Sequence, residues 1–234
     1  MLISAGTDVG VVRSINQDSY LVDKNNKYCI VADGMGGHNA GEIASTMAAR
    51  EAGKFLDDNT PQTLHATVDA VYDAIRCANN RVFKAARLNF DYSGMGTTMV
   101  MTYFYDQRII IANVGDSRAY LVRDGSIRQI TKDHSMVERL VDEGTITREQ
   151  AKNHPQKNMI TRAIGTDREV QADIYMLSAR KNDIILLCSD GLSNEVGEDD
   201  LCKLLLSGAD ADALIKEAKE NGGHDNITAV IIRM

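Results

Sequence analysis

The sequence of 234 residues predicts an α+β fold, a four-layer αββα sandwich of two mainly antiparallel sheets flanked by two pairs of antiparallel helices. Strand-like segments lie near both ends and in the middle of the chain, and amphipathic segments come in two successive pairs between them. The middle strands follow one another without crossover helices. This order favours antiparallel pairing over a doubly wound parallel sheet.

The first part of the chain contains three predicted strands and one predicted helix pair. The strands cover residues 2–5, 19–22 and 28–32. The third strand is apolar and is predicted to end before Asp33, where a glycine-rich turn begins. Apolar residues with a period of 3.6 then predict helices over residues 40–56 and 62–88, which the polar sequence DDNTP separates.

The second part of the chain has a longer run of strands and the second helix pair. Strands are predicted over residues 97–105, 108–113, 118–122, 126–130, 172–177, 183–188 and 227–232, and helices over 198–206 and 211–220. Residues 131–165 combine short helical segments with polar residues. We expect this segment to form a flap near the functional site, within a single domain of residues 1–234.

Composition and charge argue against several classes of protein. No apolar run approaches ~18 residues, so no membrane span is expected, and residues 1–8 lack the features of a secretion signal. The net charge of −7 argues against nucleic-acid binding. The four cysteines form no CxxC pair, which indicates reduced thiols and a cytoplasmic location. No feature requires more than a monomer.

Five aspartates share a position that suits metal binding, at the end of a strand-like run or in a glycine-rich turn. They are Asp18, Asp33, Asp116, Asp190 and Asp225. A single Asp–Gly pair is more often an ordinary turn. Five such sites suggest converging carboxylates, which cannot all stay ionised without cations. An all-oxygen site suits Mg²⁺ or Mn²⁺, and two such ions about 3.5–4 Å apart can activate a shared water.

Eight short motifs carry a more specific resemblance. They are RSINQDS (13–19), VADGMGGH (31–38), GMGTT (94–98), ANVGDSRAY (112–120), TKDHS (131–135), ITRAIG (160–165), CSDGLS (188–193) and HDNIT (224–228). In this order the motifs resemble the bacterial metal-dependent serine/threonine protein phosphatases of the type 2C family. The resemblance implies that a metal-bridging hydroxide hydrolyses phosphoserine and phosphothreonine in proteins. It also implies phosphorylated proteins and a bacterial serine/threonine kinase as partners.

The resemblance assigns metal ligands residue by residue. Asp33 matches the carboxylate that bridges two Mn²⁺ or Mg²⁺ ions, and the Gly34 carbonyl matches a ligand of the first ion. Asp190 and Asp225 match ligands of the second ion. Asp116 resembles the carboxylate that, with Asp190, holds a third and weaker ion in bacterial members.

Two further residues match the family, and two positions depart from it. Asp18 matches a position that acts near the ions through bound water, and Arg13 matches the arginine that grips the substrate phosphate. Met35 stands where eukaryotic relatives carry a histidine thought to protonate the leaving alcohol, and that role does not transfer to His38. Gln17 replaces the glutamate of many members, which removes one carboxylate near the second ion.

Two other functions stay open from the sequence. A pseudophosphatase would keep the fold and only dock partners, although degenerate members lose the metal-binding aspartates and the phosphate-binding arginine first. A regulatory phosphatase of sigma-factor control would use the same chemistry on one dedicated phosphoserine. The compact chain without a sensor domain favours the general phosphatase over this last function.

Overall fold

The computed structural model of the protein describes residues 1–36 and 40–234. Its strands are β1 (Leu2–Asp8), β2 (Asp18–Val22), β3 (Tyr28–Met35), β4 (Gly96–Thr97), β5 (Met99–Tyr105), β6 (Arg108–Val114), β7 (Arg118–Arg123), β8 (Ser126–Gln129), β9 (Asp173–Ser178), β10 (Ile184–Cys188) and β11 (Ile227–Arg233). Its helices are α1 (Gly41–Asp58), α2 (Leu64–Leu88), α3 (Met136–Asp142), α4 (Arg148–Lys152), α5 (Asp190–Ser193), α6 (Glu198–Leu206) and α7 (Ala211–Glu220). In the described ranges, no helix has the length and apolar character needed to cross a lipid bilayer.

Two antiparallel sheets form the centre of the molecule and confirm the predicted fold class. Over the described residues, sheet A has the strand order β1-β11-β10-β7-β8. Sheet B has the order β2-β3-β5-β6-β9, with the short strand β4 paired to β3. Helices α1 and α2 cover the outer face of sheet B, and α6 and α7 cover sheet A. The layers therefore follow the predicted αββα order.

Three apolar clusters fill the spaces between the four layers. The cluster between the two sheets includes Cys29 and Val31 of β3. Ile30 lies between them in sequence and belongs to the cluster under α1 and α2. Successive side chains of a strand point to opposite faces, so a strand covered on both faces is apolar throughout. This is why β3 has a continuous apolar sequence.

The structure differs from the sequence prediction around two of the glycine-rich turns. The prediction that the third strand ends before Asp33 is wrong, because β3 continues to Met35 and its last residues pair with β4. Asp190 begins the short helix α5, where a turn was expected. His38 lies outside the described residues.

The strand register brings the candidate carboxylates to one end of the sandwich. Asp18, the first residue of β2, is directly opposite Asp33 in β3. In sheet A, the end of β10 pairs with the start of β7 and lies opposite the early part of β11. Asp190 follows β10 and Asp225 precedes β11, so both lie beyond this paired end. Asp116 lies in the turn that joins β6 to β7.

Candidate active site

The five aspartates lie close enough together for their charges to affect one another's pKa values. Burial raises the pKa of Asp33 well above its usual value, and the charges of four other aspartates, Asp18, Asp190, Asp116 and Asp225, raise it further. Burial raises the pKa of Asp18 to about 7. Burial and the charge of Asp190 raise the pKa of Asp116 to about 8. Buried carboxylates that repel one another in this way either hold protons or require cations.

Asp190 joins the same cluster through its own contacts. Burial, and then the charge of Asp225, raises the pKa of Asp190, and its carboxyl group lies within hydrogen-bonding reach of Asp33. The amide Nδ2 of Asn194 donates to Asp190 Oδ2 at 3.1 Å. Since Asn194 directly follows α5, this short helix holds the Asp190 side chain from its C-terminal end.

Hydroxyl groups hold only one of the two carboxylate oxygens of Asp18 among the described residues. Ser189 Oγ and Thr228 Oγ1 each donate to Asp18 Oδ2 at 2.7 Å. The other oxygen, Asp18 Oδ1, is buried and has no hydrogen-bond partner among the described residues. A buried carboxylate oxygen without a partner is costly. A divalent cation, or a water bound to one, would satisfy it.

The main chain at Asp33 is fixed by Thr97 of β4 and by Thr98, which lies between β4 and β5. The Asp33 amide donates to Thr98 Oγ1 at 2.9 Å. The Asp33 carbonyl accepts from the Thr98 amide and from Thr97 Oγ1, both at 2.8 Å. The next residue, Gly34, donates its amide to the Gln17 carbonyl at 3.0 Å, and a Cβ there would collide with the Gly41 carbonyl. A glycine is therefore required at position 34.

The Arg13 guanidinium lies beside the carboxylate cluster. Arg13 Nη2 donates to Asp225 Oδ2 at 2.8 Å, with about half of the arginine side chain exposed. The hydrogen bond to Asp225 raises the pKa of Arg13, and the charges of Asp190 and Asp33 contribute to the same effect. The structure thus brings Arg13 together with three of the predicted metal ligands.

The chemistry of this donor set fits hard divalent cations. The cluster offers only oxygen donors, its buried carboxylates have raised pKa values, and Asp18 Oδ1 is unpaired. Mn²⁺ and Mg²⁺ prefer such ligands. Within residues 1–36 and 40–234, no three His, Cys, Asp or Glu side chains are already spaced to hold one ion. The carboxylates are therefore close together, but in the described residues no three of them already surround one ion position.

The motif TKDHS forms a turn and a helix cap. Ser135 caps α3 by accepting a hydrogen bond from the Glu138 amide. The buried His134 accepts from the Gly115 amide through Nδ1 at 3.0 Å, and its own amide donates to the Gly115 carbonyl at 2.9 Å. These two bonds join residues 131–165 to the turn that carries Asp116.

Sequence reasoning assigned no role to Asn226, which organises the loop that carries Arg13. Asn226 is buried, and its Oδ1 accepts from the Gln17 amide at 2.8 Å. Its Nδ2 donates to the carbonyls of Val9 and Ile15, each at 2.9 Å. One side chain therefore holds both ends of the loop. The only sequence signal was its place in the HDNIT motif, next to Asp225.

We expect Asn226→Ala to lower the free energy of unfolding by about 2 kcal/mol, because it removes the buried side chain that bonds three part-buried backbone groups of the loop. Urea unfolding measures this change. Asn221→Ala is the matched control, since exposed Asn221 makes one side-chain bond, to the Glu195 carbonyl, and its loss should stay within about 0.5 kcal/mol. Equal stability of the two variants would contradict the role of Asn226.

Comparison with known proteins identifies the family. A sequence profile described as "Protein phosphatase 2C" matches residues 5–216. The chain belongs to the protein phosphatase 2C family. The serine/threonine phosphatase stp of Listeria welshimeri is 39% identical over 234 residues, covering 97% of this chain and 93% of the relative. The serine/threonine protein phosphatase PstP of Mycobacterium tuberculosis is 41% identical over 231 residues, and the chain spans 44% of its length.

Solved structures of phosphatase 2C proteins share the fold. The crystal structure of M. tuberculosis PstP/Ppp superposes with a TM-score of 0.89 at 39% identity, covering 98% of this chain and 97% of that one. The PstP catalytic domain in complex with two manganese ions superposes with a TM-score of 0.85 at 39% identity, covering 98% and 96%. The family that the motifs indicated is thereby confirmed.

Proposed function

We propose that the protein is a Mn²⁺- or Mg²⁺-dependent phosphatase that hydrolyses phosphoserine and phosphothreonine in proteins, reversing a bacterial serine/threonine kinase. The observation that carries this proposal is the cluster of buried and half-buried aspartates, several of them with raised pKa values, beside the Arg13 guanidinium. Membership of the phosphatase 2C family supports it, as does the two-manganese complex of the PstP catalytic domain.

The metal-binding role falls to the aspartates at the end of the sandwich. Asp33 would be shared by two ions, with the Gly34 carbonyl at the first and Asp190 and Asp225 at the second. Asp116, together with Asp190, would hold a third ion. When bound, the ions supply Lewis acidity and an activated water for attack on phosphorus. The raised pKa values of Asp33, Asp190 and Asp116 support the assignments of these three, because cations would displace the protons that their carboxyl groups otherwise retain.

Two other residues of the chain complete the proposed site. Asp18, bound through Oδ2 to Ser189 and Thr228, would direct Oδ1 toward the ions and their water. Arg13 would bind the phosphate of the substrate. One N–H of the Arg13 guanidinium donates to Asp225, so most of its five donors remain for a phosphate dianion.

We expect Arg13→Ala to lower kcat/KM for a phosphopeptide by about ten- to a hundredfold, the loss that corresponds to one hydrogen bond between charged groups. The change should appear mainly in KM, which steady-state kinetics separates from kcat. Arg76→Ala is the matched control, because Arg76 is an exposed arginine of α2 that pairs with Asp73. Equal kinetics of Arg13→Ala and Arg76→Ala would argue against phosphate binding by Arg13.

The proposed activity is tested with three phosphopeptides that differ only in carrying phosphoserine, phosphothreonine or phosphotyrosine. We expect the first two to be hydrolysed in Mn²⁺, no hydrolysis in EDTA, and recovery when Mn²⁺ is returned. Hydrolysis that persists in EDTA would contradict the metal-dependent reaction. A wild-type protein that binds the peptides but hydrolyses none of them in Mn²⁺ would be a docking pseudophosphatase.

We also propose that residues 1–234 act as one phosphatase domain, in which residues 131–165 form a flap. The bonds between His134 and Gly115 support the flap, because they join this segment to the turn that carries Asp116. The four free cysteines support the proposal of a reducing, cytoplasmic compartment.

A further inference from the structure

The loop between β1 and β2, residues 9–17, is held firmly although it lies on the surface. Besides the three bonds from Asn226, the Val11 amide donates to the Gly223 carbonyl at 2.8 Å. Gly10 has a φ of +79°, and a Cβ there would collide with the Asp225 carbonyl, so the loop lies directly on residues 223–226. Backbone contacts, rather than apolar burial, fix this loop.

Three apolar side chains of the loop are exposed around Arg13. Val11 is 62% exposed, Val12 is 64% exposed and Ile15 is 40% exposed. They are three of the eleven large apolar residues that are exposed in the described ranges, and they fall within five residues of one another. Scattered exposed apolar residues are ordinary, whereas a group on one ordered loop indicates a surface for binding.

These side chains have little part in holding the protein together. None of the three belongs to, or packs against, any of the three apolar clusters of the described residues. The Val11 side chain does lie against the Gly223 main chain. A Cβ added to Gly223 would be 2.8 Å from Val11 Cγ2. Most of its surface nevertheless remains free, as does that of Val12.

We propose that Val11, Val12 and Ile15 form a docking surface for apolar side chains next to the phosphoresidue of a protein substrate. This inference rests on the proposed function, in which Arg13 binds the phosphate. Each of the three residues lies within two positions of Arg13, and two residues of extended chain span about 7 Å. The surface therefore serves the one or two substrate residues on either side of the phosphoresidue.

Charge supports an apolar partner over an acidic one. Val11, Val12 and Ile15 offer an acidic side chain neither a positive charge nor a hydrogen-bond donor, so a carboxylate that flanks the phosphoresidue would lose water without gaining a partner. The positive charge for the phosphate itself comes from Arg13, which lies between Val12 and Ile15 in the sequence of the loop. The matching substrate is a phosphorylated segment whose neighbouring side chains are apolar.

The test uses two phosphothreonine peptides that are identical except at the two residues on each side of the phosphoresidue, Val and Leu in one and Ser and Asn in the other. We expect wild-type kcat/KM to be about tenfold higher for the apolar peptide, through contact of apolar surfaces. Val12→Ser and Ile15→Ser should each reduce this preference, and the double variant should bring the ratio close to one. Leu206→Ser, at an exposed residue of α6, should keep the wild-type ratio.

Binding of the same peptides, measured by fluorescence anisotropy with the Asp33→Asn variant, separates this inference from the proposed activity. Tighter binding of the apolar peptide supports the docking surface even if the wild type hydrolyses neither peptide. Equal affinity for both peptides overturns the inference even if both are hydrolysed. If Val12→Ser instead abolishes a dimer seen by sedimentation and leaves the peptide preference unchanged, the surface joins copies of this chain, and the inference is wrong.

Discussion

Replacing Asp33 with Asn will lower kcat/KM for a phosphopeptide by more than about a hundredfold, because even residues that only support a metal ligand contribute 10–100-fold. The substitution keeps the size of the side chain and the backbone bonds to Thr97 and Thr98. It also removes a buried carboxylate that neighbouring aspartates repel, so the metal-free variant should be at least as stable as the wild type. Steady-state kinetics and thermal unfolding in EDTA measure the two effects.

Asp23→Asn is the matched control for this substitution. Asp23 is buried at the opposite end of β2, where its Oδ2 accepts from the amides of Asn25 and Lys27. An Asn carbonyl can accept the same bonds, and we expect unchanged kinetics. Wild-type activity in Asp33→Asn would refute its role as a metal ligand. A loss of activity together with a lowered unfolding temperature would instead indicate that Asp33 acts through stability.

Raising the pH from about 6.5 to 8 will destabilise the protein in EDTA, and added Mn²⁺ will reverse this effect. Burial raises the pKa of Asp18 to about 7 and that of Asp116 to about 8, and it raises the pKa of Asp33 as well. The folded state therefore holds protons that the unfolded state has already released. Stability is lost as the pH rises through the folded-state pKa values. The unfolding temperature should fall by about 3 °C per pH unit for each proton retained.

The pH range of this prediction begins at about 6.5, because below that value His134 makes stability rise with pH rather than fall. Burial, and then the charge of Arg162, lowers the pKa of His134, so its contribution to stability rises with pH and is complete above its unfolded-state pKa of 6.5. Asp18→Asn should show a shallower decline than the wild type, because it removes one of the retained protons. An unfolding temperature that rises between about pH 6.5 and 8 in EDTA would contradict the cluster of raised pKa values.

The sequence was sufficient to predict the layers of the fold because apolar periodicity reports directly on burial. The continuous apolar run before Asp33 indicated a strand covered on both faces, and Cys29 and Ile30 do lie in different clusters. The end of that strand was predicted wrongly. Its pairing with β4 depends on residues more than 60 positions away, and a local pattern carries no information about such a partner.

The sequence singled out the five aspartates because each ends a strand-like run or stands in a glycine-rich turn, whereas it gave no sign of the groups that hold them. Ser189 and Thr228 donate to Asp18 across the two sheets, and Asn226 organises the Arg13 loop. Small polar residues of this kind are common in any sequence. Their function follows only from the register of strands that are distant in sequence.

The bond between Thr228 and Asp18 has a consequence for the synthesis of the protein. It joins residues 210 positions apart, and β1 pairs with β11 over its whole length. At roughly 5–20 residues per second, about 10 to 40 s pass on the ribosome between the two residues. During that time the nascent chain contains Asp18 but lacks Thr228, one of the two hydroxyl groups that hold its carboxylate. The Asp18 carboxylate is therefore fully held only after β11 has entered sheet A.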